Sequence, residues 1–303
     1  RRRARNQAQA AAAPRSPIPR FDAGSKDVID AVIEDHRKIE HEEAPKSKDA
    51  IATETRAKEL VDSQRDSVGA LTHFRKRVEA IPVEEMRKHL EEKGYFVHDG
   101  FLDSADVITA MQEEADALRP SMELHMDQIG AGEYSISLKG GEEQYELAPR
   151  CIEFIVSVTK HVAPLFEKVD PSSCVSVMTT FDRKAQQASL KLLTGEESID
   201  ILYPESKPFS PLVEPRNKEE KDSKVDTREI TFLYYIVAEN WCETSAGGGI
   251  TVKEGSDEIY IPPKHDRLVI LKSKECMLRN EVWKGTENLE SASYIELSLL
   301  KQL

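Results

Sequence analysis

The sequence predicts an α+β protein in which a double-sheet β-barrel or sandwich with flanking helices follows a helical N-terminal arm. From residue 229 onward, short strand-like runs follow one another at close spacing, which is typical of a double-sheet fold. Residues 83–162 instead alternate between helical and strand-like patterns, and residues 21–82 carry helical stripes alone. A chain of 303 residues is long enough for one large domain with its own core.

The composition excludes several classes of protein. A net charge of −13 argues against a general binder of nucleic acid or of anionic membranes. No apolar run approaches the ~18–20 residues that span a bilayer, so we expect a soluble protein that is at most peripheral to a membrane. The four cysteines are scattered without zinc-type spacing, which predicts buried, reduced thiols.

Residues 1–20 form a tail rich in alanine and arginine. They contain six arginines and no acidic residue, and they lack the apolar segment of a secretory signal. This composition is typical of an organellar transit segment or its remnant, which predicts a chloroplast or mitochondrial location, with the cytoplasm as the alternative. A disordered basic tail and a tail that docks on an acidic partner are the other interpretations.

Residues 21–82 form the predicted helical arm. Ser25 is a candidate N-cap of a first helix that Pro45 ends, and a longer amphipathic helix lies between Ser47 and Pro82. Two such helices bury little surface alone, so we expect them to lie across the barrel or across a partner. The apolar residues that we propose as partner contacts in the second helix are Leu60, Val61, Leu71 and Phe74.

The third predicted unit, residues 83–303, is the barrel domain with its helices. Gly94 marks the end of its first helix and Pro120 the end of its second. A β-branched strand follows at 173–182, and a proline-rich, highly charged insertion occupies about 204–228. The run 229–237 is almost continuously apolar, as a central strand is.

The order of several motifs resembles the prolyl 4-hydroxylase branch of the Fe(II)/2-oxoglutarate dioxygenases. These motifs are "GYFVHDGFL", then "REITFLYYIVAENWCETSAGGGITV", "IYIPPKHDRLVILKS", "RNEVWKG" and "SYIELSLL". The resemblance covers residues 84–303 and is closest over 229–300. It implies a double-stranded β-helix of the jelly-roll or cupin type, and it places Trp241 and Trp283 near the barrel rim. There they serve packing or, alternatively, partner binding.

The resemblance also implies the site that such an enzyme uses. Members of the family hold Fe(II) with two histidines and one carboxylate, and a basic residue on the last strand binds 2-oxoglutarate. The positions that match the proximal His-x-Asp pair are Leu192 and Thr194, with Lys224 and Asp226 as an alternative alignment. Asn280 stands at the distal histidine position, and Ser293 stands at the cosubstrate position.

The supply of histidines supports the interpretation that the metal site is lost. Only His265 follows His161 in the sequence, and it lies in the polar turn "PPKHDRL". Two imidazoles from the core strands therefore cannot be assembled, and the sequence predicts that the chain uses no metal or other cofactor.

A second, weaker resemblance concerns the arm. Residues 27–40, "DVIDAVIEDHRKIE", are similar to the opening helix of hemerythrin-like domains, in which the histidine of Asp-His-Arg binds iron. The later His-rich and Glu-rich helices of that family are missing from the sequence, so an exposed helical His36 is the preferred interpretation.

These observations favour a non-catalytic oxygenase-like protein that serves as an accessory subunit. The expected partners are proteins of a larger assembly, such as an organellar photosynthetic or respiratory complex. Two alternatives stay open at this point. One is an active Fe(II)/2-oxoglutarate-dependent prolyl hydroxylase with an atypical site, and the other is a sensor that binds a ligand in the emptied pocket.

Overall fold

Two antiparallel β-sheets and a layer of helices make up the computed structural model. The structure describes residues 72–127, 130–195, 208–213, 226–241 and 244–302, all within one compact unit that spans residues 45–303. The predicted mixed α and β fold is confirmed. The tail, most of the arm with its hemerythrin-like segment, and most of the 204–228 insertion lie outside the described residues.

Seven strands form the larger sheet, in the order β1–β9–β6–β11–β4–β3–β2. These strands are β1 (Tyr95–Asp99), β2 (Glu123–His125), β3 (Glu133–Ser137), β4 (Val169–Asp182), β6 (Arg228–Ile236), β9 (Arg267–Lys272) and β11 (Ser291–Lys301). The smaller sheet has the order β5–β10–β7–β8. Its strands are β5 (Ser210–Pro211), β7 (Ile250–Glu254), β8 (Asp257–Ile261) and β10 (Met277–Asn280).

Five α-helices accompany the sheets in the described part of the chain, beside a helical stretch at residues 72–79. They are α1 (Val83–Glu92), α2 (Ala105–Leu118), α3 (Glu142–Leu147), α4 (Pro149–Val162) and α5 (Arg183–Thr194). Short 3₁₀ turns follow α2 at Arg119–Ser121 and α4 at Ala163–Leu165. No helix of the described residues is long and apolar enough to cross a membrane.

The strand β6 is apolar from Phe232 to Ile236, where both of its faces are buried. Strand side chains alternate between the two faces of a sheet. Phe232 and Tyr234 therefore pack toward the helices, whereas Leu233 and Tyr235 pack between the two sheets. This division creates two cores, one under the helices and one inside the barrel.

Several aromatic rings pack against one another in the core under the helices. Phe154 of α4 contacts Tyr234 with a ring separation of 4.9 Å, and Phe101 lies 6.0 Å from the same tyrosine. All three side chains are at most 1% exposed. Such pairs add to the stability that area burial alone gives.

A carboxylate of one helix caps the next. Glu114 of α2 is 6% exposed and accepts hydrogen bonds from the backbone N–H groups of Cys151 at 2.9 Å and Arg150 at 3.1 Å. These groups belong to the first turn of α4, where no intrahelical acceptor exists. The negative charge also complements the positive end of the helix dipole, so Glu114 fixes α4 against α2.

The described end of the predicted arm packs on the barrel domain. Phe74, Val78 and Ile81 belong to the core under the helices. Arg77 donates to the carbonyls of Phe101 at 2.6 Å and of Gly100 at 2.8 Å. Residues 72–81 are therefore part of the fold of this domain, although the sequence placed its start at residue 83.

Asp266 fixes the turn that follows β1. It adopts a positive φ of 57° and is 4% exposed. Its carboxylate accepts hydrogen bonds from the backbone N–H groups of Leu102 and Asp103, both at 2.7 Å, and from the hydroxyl of Tyr234 at 2.9 Å. Because a charged acceptor satisfies three buried donors, this contact joins the β1–α2 turn to the central strand.

Candidate functional site

A pocket opens between the two sheets at the place where β10 and β7 face β6 and β11. Its volume is about 90 Å³, and its wall includes Leu212, Tyr235, Ile250, Asn280 and Trp283. The strands bring these residues together from distant parts of the sequence. The pocket therefore exists only once both sheets have formed.

An aromatic cluster fills the barrel beside the pocket. Its centre is Trp283, which is 5% exposed. The indole lies nearly parallel to Phe181, at 6.0 Å and 22°, and to Tyr294, at 5.9 Å and 9°. Trp241 meets it edge-on at 5.7 Å and 67°. We refer to Phe181, Trp241, Trp283, Tyr235 and Tyr294 as the aromatic cluster.

Glycine allows the indole to take this position. Gly248 has a φ of +81°, and a Cβ there would overlap the ring of Trp283. The backbone at Gly248 therefore approaches the indole more closely than any other residue type permits. Gln186 of α5 holds the backbone of Trp283 itself by donating to its carbonyl at 2.6 Å.

The described pocket wall contains three carboxyl side chains and no basic side chain. The three carboxyl residues are Glu133, Glu281 and Glu296. Burial raises the pKa of Glu296, and the nearby guanidinium of Arg228, at 3.3 Å, opposes this effect. Burial also raises the pKa values of Tyr235 and Tyr294, so both phenols are neutral at physiological pH.

Asn280, the predicted distal position, lines the pocket at the end of β10. It pairs with Ile250 of β7. The wall also contains Leu212, which directly follows β5, the strand that pairs with β10 in the same sheet. The sequence did not single out Leu212, because a two-residue strand beside a long insertion leaves no recognisable pattern.

Ser293 lies on the opposite face of β11 from the pocket. Its hydroxyl forms a hydrogen bond with the hydroxyl of Thr180 at 2.9 Å. Ile295 and Leu297, which lie on the same face of β11, belong to the core under the helices. Tyr294 and Glu296 face the pocket instead. The predicted cosubstrate position therefore lies on a face of β11 that does not line the pocket, because neighbouring residues of a strand face opposite sides of the sheet.

Leu192 and Thr194 lie in the last turn of α5 rather than on a core strand. Leu192 is 73% exposed, and Thr194 donates to the carbonyl of Leu190 at 2.8 Å. Neither residue lines the pocket. In the alternative alignment, Lys224 lies outside the described residues, and Asp226 pairs with Arg228 at 2.7 Å just before β6.

The predicted partner contacts fall into two groups. Leu60, Val61 and Leu71 lie outside the described residues. Phe74, Trp241 and Trp283 are 0%, 6% and 5% exposed, so all three pack inside this chain. A partner could reach them only if the core opened, because their rings are already covered by residues of the same domain.

The described pocket wall does not fit the iron site of the oxygenases. It contains no histidine and no basic residue. His265 lies in its turn with Nδ1 donating to the carbonyl of Val237 at 2.8 Å. Over the described residues, no group of three or more His, Cys, Asp and Glu side chains could hold a metal ion. A facial triad requires two imidazoles and a carboxylate on one face of the metal.

Comparisons with known proteins find relatives by structure alone. No family model matches the sequence, and no curated protein matches it. A prolyl 4-hydroxylase from Pseudomonas putida superposes with a TM-score of 0.51 at 12% identity, covering 73% of this chain and 99% of that one.

Two further solved structures are similar at lower scores. A prolyl 4-hydroxylase from Phytophthora capsici gives a TM-score of 0.49 at 15% identity, covering 76% of this chain and 65% of that one. A prolyl hydroxylase from Trichoplax adhaerens, solved with a hypoxia inducible factor peptide, gives a TM-score of 0.47 at 15% identity. The match covers 75% of this chain and 91% of that one. At these identities the likeness concerns the fold alone. Together with the topology above, the Pseudomonas match shows that the chain has the double-stranded β-helix fold of the 2-oxoglutarate oxygenases.

Proposed function

We propose that the chain is a non-catalytic form of the oxygenase fold that acts as a structural or binding subunit of a larger protein assembly. The observation that carries the proposal is the content of the pocket wall. An asparagine stands at the position that matches the distal histidine, the described wall contains no histidine and no basic residue, and the indole of Trp283 packs beside it.

The electrostatics of the pocket support the same conclusion. A 2-oxoglutarate enzyme must bind a dianion, and it does so with a basic side chain inside the barrel. Here Ser293, at the matching position, is not basic, and the side chains of β11 that line the pocket are Tyr294 and Glu296. A carboxylate at that place repels a second carboxylate, so the dianion gains no binding energy from this wall.

A fold that has lost its chemistry is retained for its surface or its ligands. We therefore expect protein partners rather than nucleic acid, and we place the assembly in a chloroplast or mitochondrion on the basis of the arginine-rich tail. Native mass measurement of the complexes that contain the protein, isolated from the source organism, tests this expectation. A protein that migrates alone, with no co-purifying partner, argues against an accessory subunit.

The absence of catalysis is tested on the purified full-length chain. We expect iron below one-tenth of the molar protein content after anaerobic loading with Fe(II), in line with the poor affinity of a site without imidazoles. We also expect no succinate from 2-oxoglutarate. Stoichiometric iron together with succinate formation would establish the alternative, an active oxygenase with an atypical site.

A further inference from the structure

The outer side of α3 and α4 carries exposed apolar residues near the point where the described chain begins. We propose that residues 60–71 of the predicted arm dock there as a helix, with their apolar stripe against α3 and the first turns of α4. This packing is separate from the proposed function, because it concerns how the chain is built and not whether the barrel is catalytic.

The helix at residues 72–79 shows in which direction the arm approaches the domain. Phe74 packs edge-on against Phe154 of α4, with 6.1 Å between the ring centroids. Further along the same helix, Glu79 lies close enough to His161 of α4 for their charges to interact. Because Phe154 precedes His161 in α4, the two helices run side by side in the same direction.

The next contact along the chain gives the same direction. Arg87 of α1 donates to the carbonyl of Leu165, which lies just beyond the end of α4, at 3.3 Å. The chain from Phe74 to Arg87 therefore follows α4 toward its C-terminal end. A helix that continues backward from Thr72 points the other way, toward Pro149 at the start of α4 and toward α3, which directly precedes it.

The surface at that end of α4 is apolar. Tyr145 and Leu147 of α3 are each 38% exposed, and Val156 of α4 is 36% exposed. The hydroxyl of Tyr145 donates to Glu153 at 2.8 Å, and Glu153 lies one helical turn before Val156. We refer to Tyr145, Leu147 and Val156 as the α3–α4 patch. Large apolar side chains that cluster at a surface indicate a contact with further protein.

The arm has a pattern and a length that suit this patch. Its apolar residues Leu60, Val61, Val68 and Leu71 recur at helical spacing. A helix rises ~1.5 Å per residue, so residues 60–71 would span roughly 18 Å. That length covers the first turns of α4 together with the short helix α3.

Charges beside the apolar stripe fit the same placement. Arg65 lies nine positions before Phe74, which corresponds to roughly 13.5 Å of helix and places the guanidinium level with α3. Helix α3 exposes Glu142, Glu143 and Glu146 and contains no basic residue. Exposed ion pairs stabilise little, so we assign them the orientation of the arm and assign the binding to the apolar contacts.

A segment of the same chain is the favoured occupant of the patch. Residues 60–71 are joined to Thr72, so they are held near α4 at a high effective concentration that a separate partner lacks. Leu60, Val61 and Leu71, which the sequence suggested as partner contacts, are then used within the chain.

Hydrogen exchange of the full-length chain, followed by mass spectrometry of its peptides, tests the docking. We expect residues 60–71 to exchange at least about tenfold more slowly than an unstructured peptide of the same sequence. The protection should be equal at about 1 µM and about 50 µM protein, because a contact within one chain does not depend on concentration.

Two variants test the contact from its two sides. Val156→Glu places a charge in the α3–α4 patch and should speed the exchange of residues 60–71 about fivefold or more. Val68→Glu places the charge in the arm and should speed the exchange of α3. Leu192→Glu, at a side chain of α5 that is 73% exposed, is the matched control and should change neither region by more than about twofold.

Slow exchange of β6 in each variant verifies that the barrel is folded. The arm-side variant keeps the test decisive if α4 does not tolerate the charge at Val156.

Three results would overturn the proposal. Exchange of residues 60–71 at the unstructured rate in the pure chain would mean that the arm is left for a partner. Protection that appears only at the higher concentration would assign the patch to a second copy of the chain. Equal effects of Val156→Glu and Leu192→Glu would place the arm elsewhere on the domain. Iron and succinate assays are independent of all three results, so the proposed function is tested separately.

Discussion

The rings of Trp283 and Tyr294 lie 5.9 Å apart and within 9° of parallel, although eleven positions of sequence separate the two residues. One residue follows β10 of the smaller sheet, and the other belongs to β11 of the larger sheet. Their contact therefore ties the two sheets together at the pocket.

Replacing the indole should be costly for stability. Trp283→Ala removes the centre of the aromatic cluster and leaves a cavity, so we expect a loss of about 3–5 kcal/mol in the free energy of unfolding. Urea denaturation followed by circular dichroism measures the loss. Leu193→Ala, at a side chain that is 50% exposed, is the control and should change stability by about 0.5 kcal/mol or less. Similar losses in both variants would show that Trp283 is not a core residue.

The carboxylate of Asp266 should matter more than the hydroxyl that it binds. Asp266→Asn keeps a residue type that tolerates positive φ. However, the asparagine amide is neutral and has a single acceptor oxygen, so it cannot replace the carboxylate that accepts from both backbone N–H groups and the hydroxyl. We expect Asp266→Asn to lower the free energy of unfolding by about 2–3 kcal/mol. Tyr234→Phe removes one hydrogen bond and should lower it by about 1 kcal/mol. Chemical denaturation of the two variants compares them directly, and a larger effect of Tyr234→Phe would contradict the assignment of Asp266 as the anchor of the turn.

Asp99 should make stability fall in strong acid. Hydrogen bonds from Arg267, together with Lys264, lower the pKa of Asp99 to about 2. Because the folded state holds the proton more weakly than the unfolded state, the stabilisation is complete above about pH 4 and disappears as the pH falls through about 2. The side chain is 40% exposed, so solvent screening limits the contribution to about 0.5–1 kcal/mol.

Asp99→Asn tests this pH dependence. The variant should be less stable than the parent at pH 7 and equal to it near pH 2, as measured by urea titrations at a series of pH values. A stability difference that is independent of pH would show that the ion pairs with Arg267 and Lys264 contribute nothing through the charge of Asp99.

Restoring one imidazole should not restore the metal site. Asn280→His places a histidine at the pocket, but the described pocket wall offers no second imidazole. We expect no stoichiometric Fe(II) in the variant by metal analysis, because a single imidazole cannot complete a facial triad. Full occupancy by iron in Asn280→His would reveal ligands that the described wall lacks, and it would weaken the proposed loss of chemistry.

Sequence patterns were sufficient for most of the secondary structure. The apolar run predicted at 229–237 is β6, which spans Arg228–Ile236, and the strand predicted at 173–182 lies within β4, Val169–Asp182. Gly94 has the positive φ of 81° that its place at the end of α1 requires. These elements could be predicted because hydrophobic periodicity and positive-φ positions depend on residues that are close together in the sequence.

Several of the predicted site residues lie elsewhere in the fold than the sequence pattern placed them. Leu192 and Thr194 were assigned to the start of a core strand, yet they end a helix that Asp182 caps by accepting from the backbone N–H of Ala185 at 2.9 Å. Ser293 was assigned to the pocket, yet Tyr294 faces it. An alignment error of one residue has no effect on strand prediction but reverses the face on which a side chain lies.

The sequence by itself determined that this chain builds a double-sheet barrel and that it carries one histidine after residue 161, since composition and local pattern need no three-dimensional information. Only the tertiary structure decided that Trp283 fills the barrel, that Glu133, Glu281 and Glu296 give the pocket an acidic wall, and that Phe74 belongs to the core. These contacts join residues that are far apart in the chain, and their register is fixed by sheet pairing and close packing, which no local pattern encodes.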